Sequence, residues 1–406
     1  MFLIVVSCIL VPQFIIMTQM EDKALQTIQD AISSHGILAS SMDVDNYLRV
    51  WSRDSVMAGL VGLEYQDEDI ILAFQQSVLT LANHQNIKGI IPSNVAIGKH
   101  QEAKVSYGTL VGRTDATTWW VIGTIILLTS RKAFRKKYCD FFVPKILKAL
   151  DVLHIWEYND RGLIYSPLGG NWADEYVTSG YTLYDNVLYL WALELSAQYF
   201  NDAKLVEKSQ KLRQLIINNF DNQIDGQDAE YYHPIAVEKR KSNLKPYFSA
   251  SLSSNGYDQR WDMAGNAIAL YLGLFSNILP LVQFLSEIRL QYSSGLIPVF
   301  YPIIEPQDIE WKLLEENYSF KFKNQPFQFH NGGFWPIFGG WLCRGLRKYR
   351  HEDLAEDILS SYSKFLIDED CKFYEYHDVR TGEGKGTQKL CFSAAGFLLM
   401  SNNNTA

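Results

Sequence analysis

The sequence predicts an all-α protein built as an (α/α)6 toroid, and three observations lead there. Apolar residues recur at helical spacing in twelve segments: 22–33, 54–65, 67–83, 116–130, 133–155, 183–200, 202–219, 262–275, 277–291, 334–349, 352–367 and 391–401. Strand signals are sparse. Long loops rich in aromatic and polar residues precede every second helix. Twelve helices in one body make six hairpins, and periodicity alone also admits a solenoid. In a closed ring of antiparallel hairpins, however, the starts of alternate helices share one end, so the six long loops meet at a single mouth. A solenoid would string them along a ridge.

Taken in order, residues 1–20 form an N-terminal extension whose apolar run, Met1 to Ile16, has no Lys or Arg near its start and is shorter than the ~20 apolar residues a membrane span needs. It reads as either a signal-like segment or a start codon placed too early, ahead of one catalytic domain over 21–406. The expected compartment is the cytoplasm, with an exported form if the apolar segment is genuine, and no stable membrane insertion is expected. The second helix follows Trp51-Ser52-Arg53-Asp54, where Asp54 suits the positive end of the helix dipole. Arg53 beside Asp54 also presents a fork of donors and acceptors suited to neighbouring sugar hydroxyls. The fourth helix opens on Asp115 with Trp119-Trp120, an acceptor with stacking surface; one ring is expected to pack inward and the other to face the mouth.

The sixth helix follows residues 171–185, with Trp172, Asp174 and Glu175. The eighth follows residues 257–262, ending in Trp261-Asp262. The tenth follows His330-Asn331-Gly332-Gly333-Phe334-Trp335-Pro336, whose glycines let backbone approach a ligand and whose proline fixes the helix entry. The twelfth follows residues 374–388, ending in Gln388.

Composition narrows the function classes. The net charge is −8, and the one basic run, at 131–137, reads as a solvated helix face, which argues against nucleic acid. Five scattered cysteines (8, 139, 343, 371 and 391) include no CxxC pair and read as reduced thiols. Neither a metal nor a cofactor is expected: there is no HExxH, no GxGxxG, no Walker loop and no GxSxG elbow. Aromatic residues at 14% of the chain exceed the needs of a core of this size, so some are expected to face a ligand. Nothing in the sequence addresses the oligomeric state.

Two acidic stretches, 171–175 and 373–378, each set carboxylates among aromatic rings just before a helix. Glycosidic cleavage needs one carboxyl kept protonated for the leaving oxygen and one kept ionised to activate water or attack. Aromatic neighbours offer flat surfaces to sugar rings and, by excluding water, raise the pKa of the acid.

The six loops, in this order, resemble the six-hairpin glycosidases, in particular the alkaline/neutral invertases and the glycogen-debranching amylo-α-1,6-glucosidases, from about Tyr47 to Met400. Ser52-Arg53-Asp54 looks like the pair that binds the terminal glucose, and Asn171-Trp172-Ala173-Asp174 like the stretch carrying the general acid. Residues 329–336 are similar to the invertase HNGG-x-WP block, and Glu375-Tyr376-His377-Asp378 to the block holding the general base. The resemblance thus implies an inverting hydrolase of a terminal α-glucosidic bond, with Asp174 as acid and Glu375 as base. Trp51, Arg53, Asp54, Asp115, Trp119, Trp120, Trp172, Glu175, Trp261, Asp262, His330, Asn331, Trp335 and Gln388 would then hold a small carbohydrate. Invertases follow their acid with basic residues, whereas Glu175 follows Asp174, which leaves the acid open between the two. An epimerase or lyase working through His330 and His377, or a non-catalytic sugar-binding protein, are the readings from other classes.

Overall fold

Six helices touch one another in a closed ring, and others pack around them. The computed structural model describes residues 2–98, 102–223 and 230–402, with side chains from Ile16 onward apart from Ile97. Its helices are α1 (Phe2–Asp30), α2 (Ser52–Glu64), α3 (Glu68–Asn83), α4 (Thr114–Ser130), α5 (Lys132–Ile155), α6 (Leu183–Phe200), α7 (Ala203–Phe220), α8 (Pro234–Arg240), α9 (Met263–Tyr271), α10 (Leu279–Leu290), α11 (Trp311–Glu316), α12 (Pro336–Lys348), α13 (Glu352–Asp368) and α14 (Cys391–Ser401). The ring runs α2, α4, α6, α9, α12, α14 and back to α2. Around it, α3, α5, α7 and α13 each pack on the inner helix before them in sequence, and α1 packs on α14. The fold is the (α/α)6 toroid that the alternating loops predict.

Sequence explains which helices lie inside. Nearly every residue of α4 and α6 is buried. The outer α7 buries one stripe, with Leu212, Leu215 and Ile216 inward. The outer α3 and α7 start on side-chain caps: Asp67 accepts from Ile70 N at 3.0 Å, and Asp202 from Lys204 N at 2.8 Å. Pro336 opens α12, where its missing N–H is harmless. Buried apolar side chains from Met20 to Met400 form one connected core.

The mouth is stitched by backbone. Ser52 N donates to Ser93 O, Thr114 N to Gly170 O, Leu183 N to Ala250 O, Met263 N to Val299 O, Phe334 N to His377 O and Cys391 N to Ala39 O. Each of these bonds joins the start of an inner helix to a neighbouring loop, so the six starts lie at one end. Short strands serve the same purpose: Val50–Trp51 pairs with Asn94–Ile97, Tyr181–Thr182 with Ser251–Ser253, and Tyr376–His377 with Gly384–Lys385.

Three elements differ from expectation. The first helix is continuous from Phe2 to Asp30, merging the apolar extension with the helix expected from 22. The short α8 and α11 lie in loops where no helical period is visible. Among the described residues no helix is long and apolar enough to cross a membrane. Cys139, Cys343, Cys371 and Cys391 are free thiols, and Cys8 lies outside the residues whose side chains are described.

Candidate active site

The loop before α6 is fixed by a buried carboxylate. Asp185 accepts from Thr114 Oγ1 at 2.6 Å, Thr182 Oγ1 at 2.6 Å, Ser166 Oγ at 2.7 Å and Asn171 Nδ2 at 2.9 Å. Asn171 Oδ1 in turn accepts from Ala173 N at 3.1 Å, which sets the turn presenting Asp174 and Glu175. Their surroundings differ. The Asp174 side chain is 34% exposed and is gripped by the Arg113 guanidinium, which also donates to Gly169 O. Glu175 is buried; its Oε1 accepts from Ser319 N at 3.2 Å and its Oε2 has no partner among the described residues. Burial raises the Glu175 carboxyl above its usual range, opposed by the Ser319 bond and assisted by the charges of Asp174 and Glu375.

Across the mouth, the hairpin Tyr376–His377 with Gly384–Lys385 holds the second acidic stretch. Glu375 is buried, and its Oε1 accepts from the Tyr47 hydroxyl at 2.6 Å. Burial raises its carboxyl, while the Tyr47 bond and the Lys323 charge pull it down and the charge of Asp174 pushes it up. Tyr47 itself is held as a proton donor, because burial and the Glu375 charge lift its pKa well above the ordinary phenol value. Gly386 has φ +79°, and a Cβ there would collide with Glu375 Oε2, so glycine lets the chain pass close to the carboxylate. Asp378, the other acid of this stretch, is spent on Arg380 at 2.8 Å. Glu375, Tyr47, Lys323, Tyr376, Gly386 and Gln388 line a cavity of ≈ 370 Å³. A larger cavity, ≈ 460 Å³, lies at the other end of the barrel around Trp191, Arg213 and Arg344, and contains none of these groups.

The Arg53–Asp54 pair completes the mouth. Arg53 Nη1 donates to Asp115 Oδ2 at 2.8 Å and its Nε stands 3.7 Å from Asp54 Oδ2. Burial opposes the Arg53 charge, but the charges of Asp115 and Asp54 outweigh it. Burial raises the Asp54 carboxyl, with the Arg53 charge pulling it down. Arg53 Nε and Asp54 Oδ2 are both without a hydrogen-bond partner among the described residues, a donor and an acceptor side by side.

Several expected ligand contacts lie deeper than the sequence suggests. Asp115 is 1% exposed and backs Arg53 from behind, so it is a positioning residue in this geometry. Trp119 and Trp120 are both fully buried, donating to the Tyr184 hydroxyl at 2.8 Å and Val78 O at 3.0 Å; neither ring faces the mouth, because an inner helix is enclosed on every side. Trp261 is core, packed on Tyr247 and Phe284. Asp262 caps α9 through Ala264 N at 3.0 Å, and burial pushes its carboxyl up to about 7. Asn331 is a buried clamp that accepts from Ile304 N at 2.9 Å and donates to Ile304 O at 2.8 Å.

His330 lies beneath the mouth in a three-ring cluster with Trp172 and Trp335, 5.1 and 5.2 Å from them between ring centroids. Burial, then the charges of Lys323, Arg53 and Arg113, press its pKa well below the usual value, so the ring is neutral. Trp172 and Trp335 are themselves buried and support the floor. Trp51 and Gln388 remain partly open; Trp51 Nε1 donates to Asn46 O at 3.1 Å and Gln388 Nε2 to the Tyr374 hydroxyl at 3.1 Å. His154, Glu157 and Asp160 cluster at the end of α5, but Lys208 Nζ stands 2.6 Å from Glu157 Oε1 and 2.9 Å from His154 Nδ1, where a metal ion would have to sit.

Residues 238–404, which include both the His330 loop and Glu375, match the alkaline and neutral invertase family. The chain resembles the invertases. A neutral/alkaline invertase from Oryza sativa subsp. japonica, described as mitochondrial, is 30% identical over 105 residues, covering 25% of this chain and 16% of that protein. An alkaline/neutral invertase from Arabidopsis thaliana is 28% identical over 162 residues, covering 38% of this chain and 27% of its own length. The chain therefore spans a small part of the curated relatives it matches. Among solved structures, a family 63 mannosylglycerate hydrolase from Thermus thermophilus superposes with TM-score 0.65 at 14% identity, covering 94% of this chain and all of that one. A rhamnosidase from Klebsiella oxytoca superposes with TM-score 0.60 at 10% identity, over 94% and 63%. These neighbours share the fold.

Proposed function

We propose that the protein is a glycoside hydrolase that cleaves a terminal α-glucosidic bond with inversion. The observation carrying this reading is the placement of Glu375: buried, hydrogen-bonded to Tyr47, lining a cavity, and electrostatically coupled to both Asp174 and Glu175. A glucosyl ring is held through its hydroxyls by Arg53 and Asp54, whose Nε and Oδ2 face each other at 3.7 Å with neither in a hydrogen bond among the described residues, and supply a donor and an acceptor. Glu375 takes a proton from water as that water attacks the anomeric carbon. Asp174 protonates the departing oxygen. The preference for an α-glucoside, with sucrose and a short α-1,6-linked glucan as leading substrates, is supported by the resemblance to invertases and debranching enzymes.

One observation favours Glu175 as the acid instead. Its carboxyl is raised by burial and keeps a free Oε2, as a proton donor requires, whereas Asp174 is engaged by Arg113. An epimerase working through histidines draws no support, since His330 and His377 are both buried and His377 Nε2 is bonded to Glu369 at 3.1 Å.

Proton NMR of the first product tests the reading. An inverting enzyme on an α-glucoside releases β-glucose before mutarotation, its two carboxyls standing roughly 6.5–9.5 Å apart around the water. Release of α-glucose first would make Glu375 a nucleophile, and no release from sucrose, isomaltose, maltose or a limit dextrin would remove the α-glucosidase assignment.

A further inference from the structure

The chain between α10 and α12 crosses the mouth. Beyond α11 it runs as an irregular strap over residues 317–328, tied to the acidic loop at three points. Asn317 Nδ2 donates to Tyr176 O at 2.9 Å, Ser319 N to Glu175 Oε1 at 3.2 Å and Asn324 Nδ2 to Glu175 O at 2.6 Å. These bonds fix the strap against Glu175 and leave Phe320, 88% exposed, with Lys321 and Lys323 outward, while Phe322 packs on Trp311.

Lys323 differs from an ordinary surface lysine in two respects. It lines the cavity that contains Glu375, with Nζ 4.9 Å from the Phe329 ring centroid. Among the described residues its Nζ also has no hydrogen bond and no carboxylate within ion-pair distance. The other two cations of the mouth are committed, Arg53 to Asp115 and Arg113 to Asp174. The charge of Lys323 pulls down the carboxyls of Glu175 and Glu375, in keeping with its place on the wall of the Glu375 cavity.

The acid of a glycosidase stands beside the oxygen it protonates, so residues bonded to the acidic loop border the leaving group rather than the glucosyl ring. Resting on the glycoside hydrolase reading above, but departing from sucrose and a neutral glucan as its substrates, we propose that the strap is the leaving-group subsite and that the substrate's leaving group carries an anionic substituent, a carboxylate or a phosphate, which pairs with Lys323.

Titration calorimetry with free leaving-group analogues tests this without turnover: gluconate for a carboxylate, fructose 6-phosphate for a phosphate, and fructose as the neutral control. At low salt, at least one anion binds about two- to fivefold more tightly than fructose. The gap closes in Lys323→Met, persists in Lys323→Arg and narrows as salt is added. Gluconate alone showing the gap identifies a carboxylate, fructose 6-phosphate alone a phosphate, and both a general anion site. The proposal is overturned if neither anion binds more tightly than fructose, or if Lys323→Met leaves the gap intact, in which case Lys323 only tunes the carboxylates. Absence of glucoside hydrolysis would defeat the glycosidase reading, while the calorimetry would still decide the anion subsite.

Discussion

At the end of the toroid away from the mouth, Arg344 grips Glu64 with both Nη atoms at 3.0 and 3.1 Å, Arg213 holds Glu194 at 2.6 Å, and Lys348 Nζ donates to Tyr271 O at 2.7 Å. The cavity there is the larger one, yet these cations are already partnered. At the mouth, Glu175 Oε2, Asp54 Oδ2 and Arg53 Nε have no hydrogen-bond partner among the described residues, and Glu375 is raised by burial. Leaving buried polar groups unsatisfied costs roughly 1–3 kcal/mol each. A fold tolerates that where a ligand completes the bonds. The far end has unpartnered atoms too, in Trp341 Nε1 and the Arg347 guanidinium, so what sets the mouth apart is that the unpartnered carboxylate oxygens among the described residues, Asp54 Oδ2 and Glu175 Oε2, both lie there.

The largest effect expected from this contrast is at Glu375. Glu375→Gln keeps the shape but cannot take a proton, so turnover should fall by about 10²–10⁴-fold while ligand affinity stays near wild type. Turnover within about tenfold of wild type would remove Glu375 as the base. The neighbouring pair sharpens the picture: Asp174→Asn should be comparably damaging on a natural glucoside yet milder on glucosyl fluoride, whose leaving group needs no proton. If Glu175→Gln shows that pattern and Asp174→Asn does not, the buried carboxyl is the acid.

The opposite end supplies the counterpart. Glu64→Gln strips Arg344, whose side chain is 6% exposed, of its charge partner, and should lower stability by about 1–3 kcal/mol in denaturant titration with kcat left near wild type. A loss of kcat without a loss of stability would mean the two ends are coupled.

The smallest effect concerns pH. A base must be ionised, and burial raises the Glu375 carboxyl, so activity should rise with pH through a value above the usual carboxylate range. The Tyr47 bond acts in the other direction. Tyr47→Phe removes it, so the acid limb of kcat/KM should move further toward neutral pH, with at most about a tenfold loss at the plateau. A limb that stays in place would show that Tyr47 does not set the ionisation of Glu375.

Much of this was legible in the chain. The twelve helical segments follow from apolar spacing, because an amphipathic or fully apolar helix records its environment in its own sequence. The convergence of six loops follows from their alternation, and the two acidic stretches stand out because carboxylates among aromatics are visible locally. Within the second stretch, the resemblance to invertases pointed to Glu375, and only the structure shows Asp378 engaged by Arg380. Trp119, Trp120 and Trp261 show the limit: each follows a mouth loop, but which way an indole points depends on the rotation of its helix within the ring, and the ring buries all three.

Tyr47, Arg113 and Lys323 left no readable signal of a role. Tyr47 meets Glu375 across 328 residues, Arg113 meets Asp174 across 61, and Lys323 reaches the cavity only because its strap is tied to Glu175. By itself the sequence determined the helices, their alternation and the candidate carboxylates, since these are encoded in local spacing and residue type. Which carboxylates are buried, paired or left without a partner was decided only by ring closure, which brings distant loops within hydrogen-bonding distance and excludes the water that would otherwise satisfy them.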